Sequence, residues 1–152
     1  MAGYVYASER YADWKHEAAA LLELHYDEIA ADKDLIKLNP DHERYEYHDS
    51  IGQLNLVTCR KDGALVGYHI AFVYTHPHYR DSLTAFTDVF FIHPEHRNGR
   101  VGIRLFQYAE KTLREKCVQR IYTGTKLSND IGSLLEYMDF KPIERLYTKV
   151  LR

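Results

Sequence analysis

The sequence has no segment that would place the chain in a membrane or direct it out of the cell. No apolar run approaches the roughly 20 residues that a membrane-spanning helix requires. The first residues, MAGYVYASERYADWKHE, lack the basic start and the following apolar block of a secretory signal. We therefore expect a cytoplasmic protein without a membrane partner.

Cysteine is scarce, with two in 152 residues. Cys59 falls in a strand-like run and Cys117 near the end of a helical pattern, and neither belongs to a CxxC or CxxH motif. The sequence therefore offers neither a disulfide framework nor a zinc motif, and we interpret both residues as reduced, structural thiols.

Linkers and repeats are also missing. The four prolines fall singly between periodic segments, and there is no internal repeat, low-complexity stretch or Pro/Gly/Ser-rich linker. A chain of 152 residues with 45% hydrophobic and 28% charged residues is typical of one globular domain. We predict that residues 1–152 form a single domain.

Neither sign of charge dominates the sequence. The formal net charge is −2, with acidic and basic residues interspersed, which disfavours a general attraction to nucleic acid. A local basic cluster at Arg97, Arg100 and Arg104 keeps a nucleic-acid binder as the lowest-ranked hypothesis.

Hydrophobic periodicity divides the chain into helices and strands. Helical spacing covers residues 12–31, 101–116 and 131–138, and a short polar helix is expected at 41–50. Strands are predicted at 53–60 and 64–74 as a hairpin, then at 84–92, 120–125 and, as one or two closing strands, 141–151. Residues 76–80 are expected to form a loop. The order predicts a mixed α/β (α+β) fold with helices on both faces of one sheet.

Residues 88–106 carry the most informative pattern: a buried strand, a tight turn and the start of a helix. The first N–H groups of a helix are unpaired and lie at the positive end of its dipole, so they bind phosphate. Arg97 and Arg100 add cationic donors, and glycines at 99 and 102 allow close approach. Neither GxxxxGK[ST] nor GxGxxG is present. The pattern indicates an anionic diphosphate ligand, and the absence of both motifs argues against an ATP-binding P-loop and a dinucleotide-binding loop.

Residues 92–102, IHPEHRNGRVG, resemble the acetyl-CoA signature V-x-P-x-x-[RQ]-x-x-G-x-[GA] of the GNAT superfamily of N-acetyltransferases. Arg97 and Gly102 match the pattern, Arg100 stands at its middle glycine, and Gly99 is a nearby glycine. Residues 63–68 and 134–140 are similar to two further family segments. The resemblance implies a mostly antiparallel sheet flanked by helices, with acetyl-CoA as co-substrate.

This resemblance also implies which residues hold the cofactor. The pyrophosphate would bind backbone N–H groups after the strand, and the pantetheine arm would run as an extra strand along Phe91 and Ile92, with Asn129 near the arm. The residues expected to bind the cofactor are Phe91, Ile92, Arg97, Asn98, Gly99, Arg100, Val101, Gly102, Ile103 and Asn129.

Acetyl transfer to an amine needs a base that takes a proton from the amine and a group that returns a proton to the departing thiolate. Asp88 is the candidate base, since related enzymes often carry a carboxylate near this position. The usual tyrosine of the family falls at Leu135, and Tyr137 lies two positions on, about 200° around a helix. We take Tyr137 as the candidate acid, with two alternatives: another donor, or departure of the thiolate without one.

The acceptor side is expected around Tyr74, His76, His78 and Tyr79. The H-P-H pair has no nearby third ligand, and Pro94 places the HxxH pair, His93 and His96, in a turn rather than on a helical face, so no metal site is predicted. The expected partner is a small-molecule or peptide amine, and homodimers are common among proteins of this resemblance. Because two family residues are replaced, the alternative is a degenerate GNAT-like module that binds CoA or a protein without catalysis.

Overall fold

The computed structural model describes residues 3–151, and these residues contain one five-stranded sheet in the order β1-β2-β3-β4-β5. The first four strands pair antiparallel with their neighbours, and β5 pairs parallel with β4. The expected mixed, mostly antiparallel fold is therefore confirmed. The strands are β1 (Tyr4–Ser8), β2 (Leu54–Lys61), β3 (Ala64–His76), β4 (Tyr79–Ile92) and β5 (Arg120–Tyr122).

Helices lie on both faces of this sheet, and the two longest bury residues at helical spacing. They are α1 (Tyr11–Ile29), α2 (His42–Ser50), α3 (Val101–Glu115) and α4 (Gly132–Tyr137), with a 3₁₀ turn at Pro94–His96. Trp14 and Ala18 of α1 are buried with Tyr68 of β3 on one face. Leu105 and Ala109 of α3 are buried on the opposite face. Among the described residues, no helix is long and apolar enough to cross a membrane.

The C-terminal strands expected at 141–151 are wrong, since the structure assigns no strand there. Leu146, Tyr147 and Leu151 are exposed. Apolar residues in this segment recur at steps of three and one rather than two, and Pro142 lacks an N–H donor, so the segment has no strand face to bury. The expected loop at 76–80 is instead largely the tight β3–β4 hairpin, and β5 ends at Tyr122 rather than at residue 125.

The sequence also did not predict β1, which is five residues long and pairs along β2. An ion-pair cluster holds it there: Arg60 of β2 contacts Glu9, just after β1, at 2.9 Å and Glu17 of α1 at 2.7 Å. These contacts lower the pKa of both carboxyl groups, chiefly through the Arg60 hydrogen bonds. The strand therefore depends on residues about 50 positions away in the sequence.

Two irregularities of β4 position the candidate site. The β3–β4 register steps from Ile70↔Val89 to Ala71↔Thr87, so Asp88 is a bulge residue without a direct partner. On the other side, β4 pairs with β5 only from Thr84 to Phe86. From Thr87 to Ile92, no strand of the described residues pairs with this edge of β4. The two parallel strands therefore diverge next to the bulge.

Candidate active site

The turn after β4 presents the start of α3 to the gap between the strands. Gly99 has a φ of 54°, in the left-handed region that glycine adopts without strain. Arg100 is the N-cap residue and makes no side-chain cap hydrogen bond. The Val101 N–H donates to the Asn98 carbonyl oxygen at 3.4 Å, which leaves the next N–H groups of α3, those of Gly102 and Ile103, to face an anion.

Gly102 lies where α3 faces both β4 and α4. A Cβ at this position would be 3.6 Å from Phe90 Cζ and 3.9 Å from Leu134 Cδ2, which are ordinary contact distances. A methyl group fits between these side chains, whereas a longer side chain would have to enter the space between β4 and α4.

Arg97 connects the turn to β4 and to α1. Its Nε donates to the Ile92 carbonyl oxygen at 2.8 Å, its Nη2 donates to Glu28 Oε2 at 2.8 Å, and its guanidinium lies 5.2 Å from the Phe91 ring centroid. Asn129 Nδ2 donates to the other oxygen of Glu28 at 2.6 Å. Glu28 therefore brings Arg97, after β4, together with Asn129, after β5.

Asp88 lies on the sheet face that α1 and α2 cover. The Tyr45 hydroxyl donates to Asp88 Oδ2 at 2.5 Å, and the Tyr45 ring stacks on Tyr11 with centroids 4.8 Å apart. Asp88 is an exposed residue, and the protein atoms around its carboxyl group remove only part of its hydration. This desolvation raises the pKa of Asp88, and the Tyr45 hydrogen bond partly opposes the rise.

The tyrosines beside Asp88 stay protonated. Burial, followed by the charge of Asp88, raises the pKa of Tyr45 and of Tyr68 above the usual value. Tyr45 is therefore a hydrogen-bond donor to the carboxylate at neutral pH. The arrangement is a partly desolvated carboxylate held in place by a phenol, which is suited to accepting a proton.

Aromatic side chains extend from Asp88 along the same face. Phe86, two residues before Asp88, stacks on Tyr74 with centroids 4.6 Å apart, and Tyr74 is 40% exposed. Farther along, the His76 ring lies 5.2 Å from that of His78 and 5.5 Å from that of Tyr79. The four predicted acceptor residues thus form one patch around Phe86, which contacts both Tyr74 and His76. Phe86 lies on the same strand as Asp88.

Tyr137 is placed beside the start of α3. Its hydroxyl accepts from Arg100 Nη1 at 3.1 Å, and the guanidinium lies 5.7 Å from the ring centroid. Tyr137 is 62% exposed, whereas Leu135 is 7% exposed and packed inward. The catalytic role of Tyr137 stays a prediction, and its hydroxyl and ring contact Arg100 at the start of α3.

In the described part of the chain, no group of three or more His, Cys, Asp or Glu side chains is arranged to hold a metal ion.

The sequence-based site did not include Tyr45, Glu28, Thr87 or Thr123. These residue types are visible in the sequence, but their hydrogen-bond partners lie 36 to 69 residues away along the chain.

Comparison with known proteins points to one family. The model described as the Acetyltransferase (GNAT) family matches residues 8–133. A comparison with curated proteins finds no match. Among similar solved structures is a ribosomal-protein-alanine N-acetyltransferase from Brucella melitensis biovar Abortus 2308, with a TM-score of 0.73 and 19% identity over 98% of this chain and 97% of that one.

Two other structures show the same similarity in fold. A predicted acetyltransferase with acetyl-CoA from Clostridium acetobutylicum has a TM-score of 0.74 and 9% identity, over 97% of this chain and 96% of that chain. Glucosamine-6-phosphate N-acetyltransferase from Arabidopsis thaliana has a TM-score of 0.72 and 9% identity, over 98% and 99% of the two chains.

Proposed function

The chain belongs to the Acetyltransferase (GNAT) family, and on that premise we propose that it moves an acetyl group from acetyl-CoA to a primary amine by direct attack in a ternary complex. One observation carries the proposal. The Tyr45-bound carboxylate of Asp88 lies at the bulge where β4 and β5 begin to diverge. A base candidate and an unpaired strand edge therefore meet at one point.

The residues around the divergence fit acetyl-CoA. The unpaired edge of β4 up to Ile92 offers main-chain N–H and C=O groups to the amides of the pantetheine arm. The uncapped start of α3 offers N–H groups to the pyrophosphate. We propose as cofactor-binding residues Phe91, Ile92, Arg97, Asn98, Gly99, Arg100, Val101, Gly102, Ile103 and Asn129.

The proposed reaction forms a C–N bond and breaks a C–S bond. The neutral amine attacks the thioester carbonyl carbon, the amine proton passes to Asp88, and the electron pair of the C–S bond leaves with sulfur. Strand N–H groups near Phe91 and Ile92 polarise the carbonyl oxygen. Binding both substrates side by side supplies the proximity that the step requires.

The proposed acceptor is a small-molecule or peptide amine that contacts Tyr74, His76, His78 and Tyr79. Two of the structures with a similar fold are named for a ribosomal-protein alanine and for glucosamine-6-phosphate. The exposed stack of Tyr74 on Phe86 provides a flat apolar surface for the body of such an acceptor, next to the base.

Thiol release from acetyl-CoA in the presence of an amine panel tests this proposal. The panel contains a peptide N-terminus, a lysine peptide, an amino sugar and a polyamine. We expect at least one amine to raise CoA release well above the rate without amine, with the acetylated amine detected by mass spectrometry. CoA binding without turnover of any amine would instead support the non-catalytic module that Arg100 and Leu135 suggest.

Removal of the Tyr45 hydroxyl shifts the pH dependence of this reaction. Because the hydrogen bond from Tyr45 lowers the pKa of Asp88, Tyr45→Phe raises that pKa further. Asp88 can accept a proton only when it is deprotonated. As the pH is lowered, the variant therefore loses activity at a higher pH than the unmodified protein does. We expect the acidic limb of the kcat/KM profile to move up by roughly one pH unit.

The control is Tyr47→Phe, which removes an exposed hydroxyl from the same helix. Its profile is expected to overlay that of the unmodified protein. An unchanged acidic limb in Tyr45→Phe would show that Asp88 is not the group whose ionisation controls the rate.

A further inference from the structure

Two threonine hydroxyls meet where β4 and β5 separate. The last pair of the two strands is Phe86↔Tyr122, and Thr87 and Thr123 are the next residues on each side. Their Oγ1 atoms are 2.9 Å apart, so one hydroxyl donates to the other. This hydrogen bond closes the narrow end of the gap that the unpaired edge of β4 lines.

A buried histidine lies behind this pair. His69 Nε2 is 3.4 Å from Thr87 Oγ1, and His69 is 1% exposed, with its ring 5.1 Å from that of Phe106 on α3. Burial lowers the pKa of His69 to about 4, so the ring is neutral at neutral pH.

The environment of the ring indicates which nitrogen carries its hydrogen. His69 Nδ1 is buried without a hydrogen-bond partner among the described residues. A hydrogen on Nε2 has the Thr87 hydroxyl oxygen as its acceptor, whereas a hydrogen on Nδ1 would have no acceptor in a neighbouring residue of the described part of the chain, so we assign the hydrogen to Nε2. His69 then donates to Thr87, and Thr87 donates to Thr123. The Thr123 hydroxyl keeps its own hydrogen free to donate into the gap.

The hydroxyl chain and the candidate base lie on opposite faces of the sheet. Asp88 contacts Tyr45 of α2, whereas Thr87 contacts His69, which packs against α3. An amine that loses its proton to Asp88 approaches a thioester in the gap from the α2 face. The sulfur can then depart toward the α3 face, where the hydroxyl chain ends.

We propose that the Thr123 hydroxyl, aligned by Thr87 and His69, donates a hydrogen bond to the sulfur of CoA as the C–S bond breaks. The inference rests on the proposed acetyl transfer. The electron pair of the C–S bond passes to sulfur, the hydroxyl keeps its proton, and the amine proton goes to Asp88. Thr123 is the catalytic residue of this step, and Thr87 and His69 are positioning residues. Thr123 thereby takes the role of the family's usual tyrosine, whose position is occupied by Leu135 in this chain.

The ionisation of bound CoA tests the proposal without any amine. The ultraviolet absorbance of the thiolate is followed against pH for CoA bound to the unmodified protein, to Thr123→Val and to Thr123→Ser. A hydrogen bond to the thiolate lowers the pKa of the thiol, so we expect Thr123→Val to raise it by about one unit. Thr123→Ser keeps the hydroxyl and is expected to restore the original value.

Turnover with an accepted amine gives the second readout. We expect Thr123→Val to lower kcat by about tenfold or more at an unchanged KM for acetyl-CoA, and Thr123→Ser to stay within about threefold. If CoA binds and its thiol pKa is the same in Thr123→Val as in the unmodified protein, the inference is wrong although the proposed function stands. If CoA does not bind to the unmodified protein, the proposed function itself fails.

Discussion

Asp88→Asn is expected to lower kcat by about 10²- to 10⁴-fold while leaving the affinity for CoA unchanged. The amide has the shape of the carboxylate but does not accept the amine proton at neutral pH. In the unmodified protein the Tyr45 hydroxyl donates to Asp88 at 2.5 Å. The amide oxygen of the variant can accept the same hydrogen bond, so the geometry of the bulge is kept. The loss therefore reports proton transfer rather than a disturbed fold.

The measurements are steady-state turnover with an accepted amine and calorimetric titration with CoA. Asp81→Asn is the matched control, because Asp81 is an exposed carboxylate on the same strand. Its turnover is expected to equal that of the unmodified protein. Full turnover in Asp88→Asn would assign the base to another group or to water.

Gly102→Leu is expected to weaken CoA binding by about tenfold to a hundredfold. The additional atoms beyond Cβ must enter the space between Phe90 of β4 and Leu134 of α4, which lie 3.6 and 3.9 Å from a Cβ at this position. In the proposed complex the pantetheine arm passes along this side of β4. The leucine side chain and the pantetheine arm therefore compete for the same space beside β4.

Gly102→Ala is the control for this change. Its methyl group meets its neighbours at ordinary contact distance, and alanine favours a helix more than glycine does. We expect CoA affinity within about threefold of the original and an equal or higher melting temperature. If the leucine variant is folded by circular dichroism and binds CoA as tightly as the alanine variant, the cofactor path along β4 is wrong.

Local patterns in the sequence predicted much of the fold. The three- and four-residue spacing of Trp14 and Ala18 places α1 within two residues of its observed bounds, 11–29. The apolar run that ends at Ile92 is correctly followed by a turn and a helix from Val101. Both signals lie within one element and its immediate neighbour, so no knowledge of the tertiary structure is needed to interpret them.

Features that depend on distant partners were not predicted. The short strand β1 is recognisable only through its pairing with β2. The segment 141–151 was wrongly predicted as strand from its β-prone residues, whose apolar spacing does not have the period of two that a strand face needs. Of the candidate site residues, Asp88 and Gly102 were predicted from a local motif. Tyr45 reaches Asp88 across 43 residues, and Thr87 reaches Thr123 across 36. Such contacts follow from sheet topology rather than from spacing along the chain.

Calorimetric titration of the purified protein with acetyl-CoA and with CoA decides whether the proposed cofactor site exists. We expect micromolar binding of both ligands, weakened by Arg97→Ala, since the Arg97 side chain joins the turn after β4 to the end of β4 and to α1. Absence of binding to either ligand, by protein shown to be folded, would contradict the assignment of the cofactor site and with it the proposed acetyl transfer.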